Sequence, residues 1–140
     1  MPTTTAATAA AAVSAVEGMG YNVTCKPVTL TVSAAPVAAD VVELLKVPKG
    51  AVIMDVMVVA SDMDTNVTPL LTFSIGYGSA TAYWISTSTI GQTGGIARPT
   101  IAGARPLTLT TEDTIDLLWV AAAATFAAGT IDLVVTYVNP

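Results

Sequence analysis

The chain has 140 residues, of which 53% are hydrophobic and 11% charged, with a net charge of −5 and no histidine. That length suits one domain able to bury about two thirds of its unfolded surface. The absence of histidine excludes Ser-His-Asp and Cys-His nucleophile activation. The five scattered bases, Lys26, Lys46, Lys49, Arg98 and Arg105, cannot neutralise a run of phosphates, so direct nucleic-acid binding is not expected.

Residues 1–20, MPTTTAATAAAAVSAVEGMG, form a low-complexity Ala/Thr-rich stretch in which only Val13 and Val16 could anchor an apolar face. It lacks the basic start of a secretory signal and reads as an N-terminal arm, or equally as a frayed tail. Residues 21–140 then read as a single β-domain.

Alternation begins at Val28-Thr29-Leu30-Thr31-Val32-Ser33, with Val28, Leu30 and Val32 expected inward. Cys25, the only cysteine, reads as a small hydrophobe in a strand; no disulfide framework or thiolate zinc site is available. Residues 37–47 fit either a short helix or a strand. A strand is expected, because Val47-Pro48-Lys49-Gly50 would then close a hairpin into 51–60.

The 51–60 strand is unusual. Its even positions, Val52, Met54, Val56, Val58 and Ala60, make a natural core face. Its odd positions carry Ile53, Met57 and Val59 around Asp55, where a two-layer sheet protein should be polar. Next, Asp62-Met63-Asp64-Thr65-Asn66 matches the first half of a calcium loop. Val67 stands where that loop needs glycine, and Phe73 where it needs a bidentate glutamate, so a solvated Asx-type turn is expected and no metal site.

Leu71, Phe73, Ile75 and Tyr77 form a further inward row. In the strand expected at 82–89, Tyr83-Trp84 could stack on sugars, though core or interface packing is the stronger expectation. Gly91-Gln92-Thr93-Gly94-Gly95 lacks the following Lys-Ser/Thr and helix of a phosphate cradle, so no cofactor is expected. The strand at 114–121 repeats the oddity of 51–60. Ile115, Leu117 and Trp119 point in, leaving Asp116, Leu118 and Val120 outside. Thr114-Ile115-Asp116-Leu117 recurs as Thr130-Ile131-Asp132-Leu133, which reads as two strands of one hairpin. Ile131, Leu133, Val135 and Tyr137 complete the inward rows. No stretch approaches the roughly 20 apolar residues of a membrane span.

Seven or eight short strands without a convincing helix predict an all-β, two-sheet antiparallel sandwich, jelly-roll or immunoglobulin-like. The outer rows predict a partner interface built from Ile53, Asp55, Met57, Val59, Asp116, Leu118 and Val120, each acid met by a neighbour's base; cover by the chain's own long loops or its N-terminal arm is the alternative. No catalytic residues can be named, and an enzyme is not expected.

Val47-Pro48-Lys49-Gly50 running into Ala51-Val52-Ile53-Met54-Asp55-Val56, then Asp62-Met63-Asp64 and Phe73-Ser74-Ile75-Gly76-Tyr77, resembles small head proteins of tailed bacteriophages. The closing residues 128–138, AGTIDLVVTYV, are similar to the last strand of that group. The likeness is to jelly-roll capsid cement (decoration) proteins, such as that of a Bordetella podophage, and covers about 28–138. It implies a jelly-roll virion protein on the outer capsid surface, made in the bacterial cytoplasm. It implies the major capsid protein as partner and a homo-oligomer, dimer or trimer, with no nucleic acid or membrane partner. The bottom-up alternatives are another virion β-sandwich, such as a tail or fibre-base subunit, and a carbohydrate-binding module.

Overall fold

The computed structural model describes residues 22–104 and 106–139. The expected N-terminal arm lies outside the described residues, as do Arg105 and Pro140. Nine strands follow in order: β1 (Asn22–Val32), β2 (Val41–Val47), β3 (Val52–Ala60), β4 (Thr72–Tyr77), β5 (Ala80–Ser88), β6 (Gly95–Ala97), β7 (Leu107–Thr108), β8 (Asp113–Ala121) and β9 (Gly129–Asn139). The described helical structure is two single 3-10 turns, Ile90–Gln92 and Ala102–Ala104.

The strands form two antiparallel sheets. The first runs β1-β9-β3-β6, with β7 also pairing β3; the second runs β2-β8-β4-β5. Chain ends and middle thus interleave, each sheet taking strands from both halves, which is the winding of a jelly roll. Between the sheets lies one core. Ile53, Val56, Val58, Ile131, Leu133 and Val135 from the first sheet meet Phe73, Ile75, Ile115 and Leu117 from the second, all fully buried. Phe73 and Trp119, opposite each other on β4 and β8, pack edge to face with ring centres 5.9 Å apart.

Residues 41–47 form a strand as expected, but Val47-Pro48-Lys49-Gly50 does not close a hairpin. β2 and β3 belong to different sheets, and the turn carries the chain between them. Gly50 adopts φ 86°, a left-handed conformation that glycine enters without a Cβ penalty, and its N–H donates to Leu109 O at 2.8 Å. The two Thr-Ile-Asp-Leu segments are likewise not hairpin partners. β8 and β9 are inner strands of opposite sheets, and the shared phase aims Ile115 and Leu117 at the same core as Ile131 and Leu133.

β3 departs from simple alternation. Ile53 opposes Tyr137 and Asp55 opposes Thr136, so Met54 is an extra residue without a partner on β9. This bulge inverts the phase at the start of the strand. Ile53, expected on the outer row, is 0% exposed in the core, whereas Met54, expected inside, is 43% exposed.

Candidate interaction faces

With the bulge in place, the outward residues of the first sheet are fixed by register. Across β1, β9 and β3 they form successive rows: Val23, Val138 and Val52; Cys25, Thr136 and Asp55; Pro27, Val134 and Met57; Thr29, Asp132 and Val59. Ile96 on β6 extends the last row beside Val59. Two of these rows, Val23–Val138–Val52 and Pro27–Val134–Met57, are apolar across all three strands. Val23 is 66% and Ile96 64% exposed, while Met57 and Val59 are half-buried. A pleated surface with this composition removes apolar area from water when it is covered, at about 25 cal/mol per Å².

The acid in this face is already matched. Arg98, just past β6, places Nη1 3.3 Å from Asp55 Oδ2, and its Nη2 lies 3.2 Å from Met57 Sδ. Asp132 accepts a hydrogen bond from the Thr29 hydroxyl across the β1–β9 pair. Own-chain partners therefore engage both carboxylates here, Asp55 through the Arg98 charge and Asp132 through a neutral hydroxyl, and the apolar rows remain as a feature available for contact. No spacing rule links Arg98 to Asp55. Their meeting depends on β6 pairing with the far end of β3.

Asp116, Leu118 and Val120 lie on the opposite side of the sandwich, outside the second sheet. The seven residues expected to form one interface are thus separated: Ile53 in the core, Asp55, Met57 and Val59 on one face, and Asp116, Leu118 and Val120 on the other. On the second face, Val41 opposes Leu118 and Glu43 opposes Asp116 across β2–β8; Ser74 and Gly76 oppose the same two residues across β8–β4.

Part of this face is closed by the chain itself. Between the Ile75/Ile85 and Tyr77/Ala80 pairs, β5 has four residues where β4 has one, so it arches out of the sheet plane. A Cβ on Gly76 would fall 2.0 Å from Ala80 O and 2.4 Å from the Thr81 carbonyl carbon, so only glycine fits beneath the arch. Ser74 is buried and accepts the Thr87 N–H at 2.9 Å, with Thr87 at φ 49°. Own-loop cover thus holds over Ser74 and Gly76. It does not extend to Val41, 50% exposed, or Val120, 40% exposed.

Asp116 itself is 6% exposed, and its Oδ1 has no hydrogen-bond partner among the described residues. Burial pushes its carboxyl pKa up; the Thr114 hydroxyl opposes this, and the negative charges of Glu43 and Asp113 add to it.

The Asp62–Asn66 segment forms local Asx turns, as the sequence suggests. Asp62 Oδ1 accepts the Asp64 N–H, and Asn66 Oδ1 accepts the Thr68 N–H. Asp64, however, is 1% exposed rather than solvated. Its two oxygens accept backbone N–H groups from Leu70 (2.7 Å), Ala124 and Thr125 (2.9 Å each), Leu71 (3.0 Å) and Asn66 (3.4 Å). Desolvation raises its pKa, but the bonds from Thr125, Ala124, Leu70 and Leu71 outweigh that and hold it far below the usual carboxylate range. The carboxylate ties the 61–71 loop to the 122–126 loop, and its lone pairs are spent on backbone.

The aromatic trio does not form a flat platform. Tyr77, Tyr83 and Trp84 meet at interplanar angles of 76°, 45° and 82°, and Trp84 is buried in the core cluster. The Tyr83 hydroxyl donates to Gly103 O at 3.1 Å. A shallow hollow of about 220 Å³ opens beside the edges of β1 and β2 that no described strand pairs. Leu30, Val32, Pro36, Val42 and Trp119 line it, with no titratable side chain.

No family model and no curated protein matches the chain. Solved structures do. A chain of the capsid asymmetric unit of cyanophage Pam1 is 28% identical, with a TM-score of 0.80 over 89% of both chains. One from the capsid of Ralstonia phage GP4 is also 28% identical, with a TM-score of 0.76 over 85% of both. One from the acidic stable capsid of Helicobacter pylori bacteriophage KHP30 is 15% identical, with a TM-score of 0.62 over 84% of this chain and 88% of that one, and shows a shared fold alone. The structural neighbours of this jelly roll are phage capsid proteins.

Proposed function

We propose that this protein is a structural component of a bacteriophage virion that binds the outer surface of the icosahedral head and cements the major capsid protein lattice. The observation that carries the reading is the match to a phage capsid chain at a TM-score of 0.80 over nearly nine tenths of both chains. The two faces support it. An isolated domain gains nothing from apolar rows pointing at water, whereas a domain held between neighbours buries them.

The mechanism is mass action. A molecule that binds the assembled lattice and not its dissociated subunits stabilises the lattice by its binding free energy. Two faces on opposite sides of one rigid sandwich let a single molecule touch two neighbours, and a homo-oligomer multiplies such contacts. Weak individual contacts then act together through effective concentration. Asp55, Met57 and Val59 on one face, and Asp116, Leu118 and Val120 on the other, are the proposed contact residues.

The test is to mix purified protein with shells assembled without it and to measure binding at saturation. A fixed whole-number ratio to the lattice subunits supports the proposal. Absence of binding overturns it and moves the protein to another part of the virion, such as a tail or fibre-base subunit.

A further inference from the structure

The second face holds an electrostatic conflict that the described chain leaves unresolved. Glu43 and Asp116 are directly opposite across β2–β8, and like charges in that position repel. Asp113 adds a third carboxylate near enough to perturb Asp116. Asp116 is more than nine tenths buried with one oxygen unpartnered, the costliest condition for a carboxylate. The first face shows the ordinary resolution of such a problem: Arg98 sits against Asp55. No ion pair among the described residues reaches Glu43 or Asp116, and nearby Lys46 is engaged by Glu112 at 2.9 Å.

We propose that the Glu43–Asp116 pair is a socket for a basic side chain, arginine or lysine, carried by the capsid shell protein. The inference rests on the cementing role proposed above and names the chemistry by which this face recognises the lattice. Glu43 is exposed and offers the first contact. Val41 and Leu118, the next pair along the same face, flank the acids on one side with apolar surface that excludes water once a partner is seated, which strengthens a charge contact beside it. A guanidinium can engage carboxylate oxygens through two parallel N–H bonds. The base comes from the shell and not from a second copy. Each copy carries −5 with only five basic residues, and two of these, Lys46 and Arg98, are already paired within the chain.

Glu43→Gln keeps the shape and removes the exposed charge; Glu43→Lys reverses it. Both are compared with wild type for affinity toward shells lacking the protein, across a salt series, with melting temperature and sedimentation of the free protein alongside. The socket predicts that Glu43→Gln weakens shell binding tenfold or more and flattens its salt dependence. It predicts that Glu43→Lys abolishes binding, while folding and self-association stay at wild-type values. Wild-type affinity and salt slope in Glu43→Gln overturn the socket while leaving the cementing role standing. Loss of self-association with shell binding intact overturns it in favour of a contact between copies. A wild type that binds no shell overturns the cementing role, and the socket with it.

Discussion

Asp55 on β3 and Arg98 beyond β6 face each other at 3.3 Å on the outside of the first sheet, whereas Asp116 on β8 faces Glu43 on the outside of the second. One sandwich thus presents one apolar face whose Asp55 is matched by a base and one whose facing acids are not, back to back. Each face predicts a different response to substitution.

Removing Arg98 should change folding stability little. The pair is open to solvent on the arginine side, and exposed ion pairs are worth about 0–1 kcal/mol. Arg98→Ala is therefore expected to lower the unfolding free energy measured by urea titration by no more than that amount. A loss of several kcal/mol would show that the pair organises β6 rather than merely balancing Asp55.

Asp64 should dominate the acid limit of the fold. Its folded pKa is depressed, so its contribution is fully present above the usual carboxylate value of 3.8 and fades only as pH falls below it. Asp64→Asn leaves the surrounding N–H donors facing an amide with a single acceptor oxygen. That variant should unfold at clearly lower urea than wild type throughout neutral pH, the gap narrowing only below about 3.8. A gap that closes already near neutrality would contradict the assignment.

Asp116 should behave with the opposite sign. Its folded pKa is raised, so ionising it costs stability as pH rises from 3.8 through the folded value. Asp116→Asn is expected to match or exceed wild-type stability at pH 7, with the difference vanishing in acid. Denaturant midpoints of both proteins across that range check it; a destabilised variant at pH 7 would mean that the chain satisfies the carboxylate after all.

Leu117 and Leu133 are fully buried in the common core from opposite sheets. Truncating either to alanine should cost about 2–5 kcal/mol, the range for buried leucines that leave a cavity. Gly76→Ala should also destabilise, because the new methyl meets the backbone of Ala80 and Thr81, which cannot rotate aside as a side chain would. Thermal unfolding of the three variants separates these effects from changes at the faces.

The inward rows of β4, β8 and β9 were legible because a two-residue period needs nothing beyond the strand itself. Jelly-roll pairing was not. Val47-Pro48-Lys49-Gly50 has the length of a hairpin turn, and nothing local tells a return in the same sheet from a crossing to the other. The phase of Ile53 depended on a bulge at Met54 that is defined by register against β9, a strand some eighty residues away. Both outer acids were visible as anomalies in apolar runs. Their different fates were set by elements remote in sequence, Arg98 for Asp55 and Glu43 with the β5 arch around Asp116. Asp64 sits in a pattern that marks only a turn, and its buried role depends on the 122–126 loop, which carries no motif.

The most direct measurement is the rupture temperature of shells lacking the protein, with and without added wild type, Met57→Lys or Leu118→Lys. The account predicts that wild type raises it, and that a lysine on at least one face abolishes the rise while the isolated variant stays folded and soluble. It is contradicted if wild type leaves rupture unchanged, or if both variants protect the shells as well as wild type does.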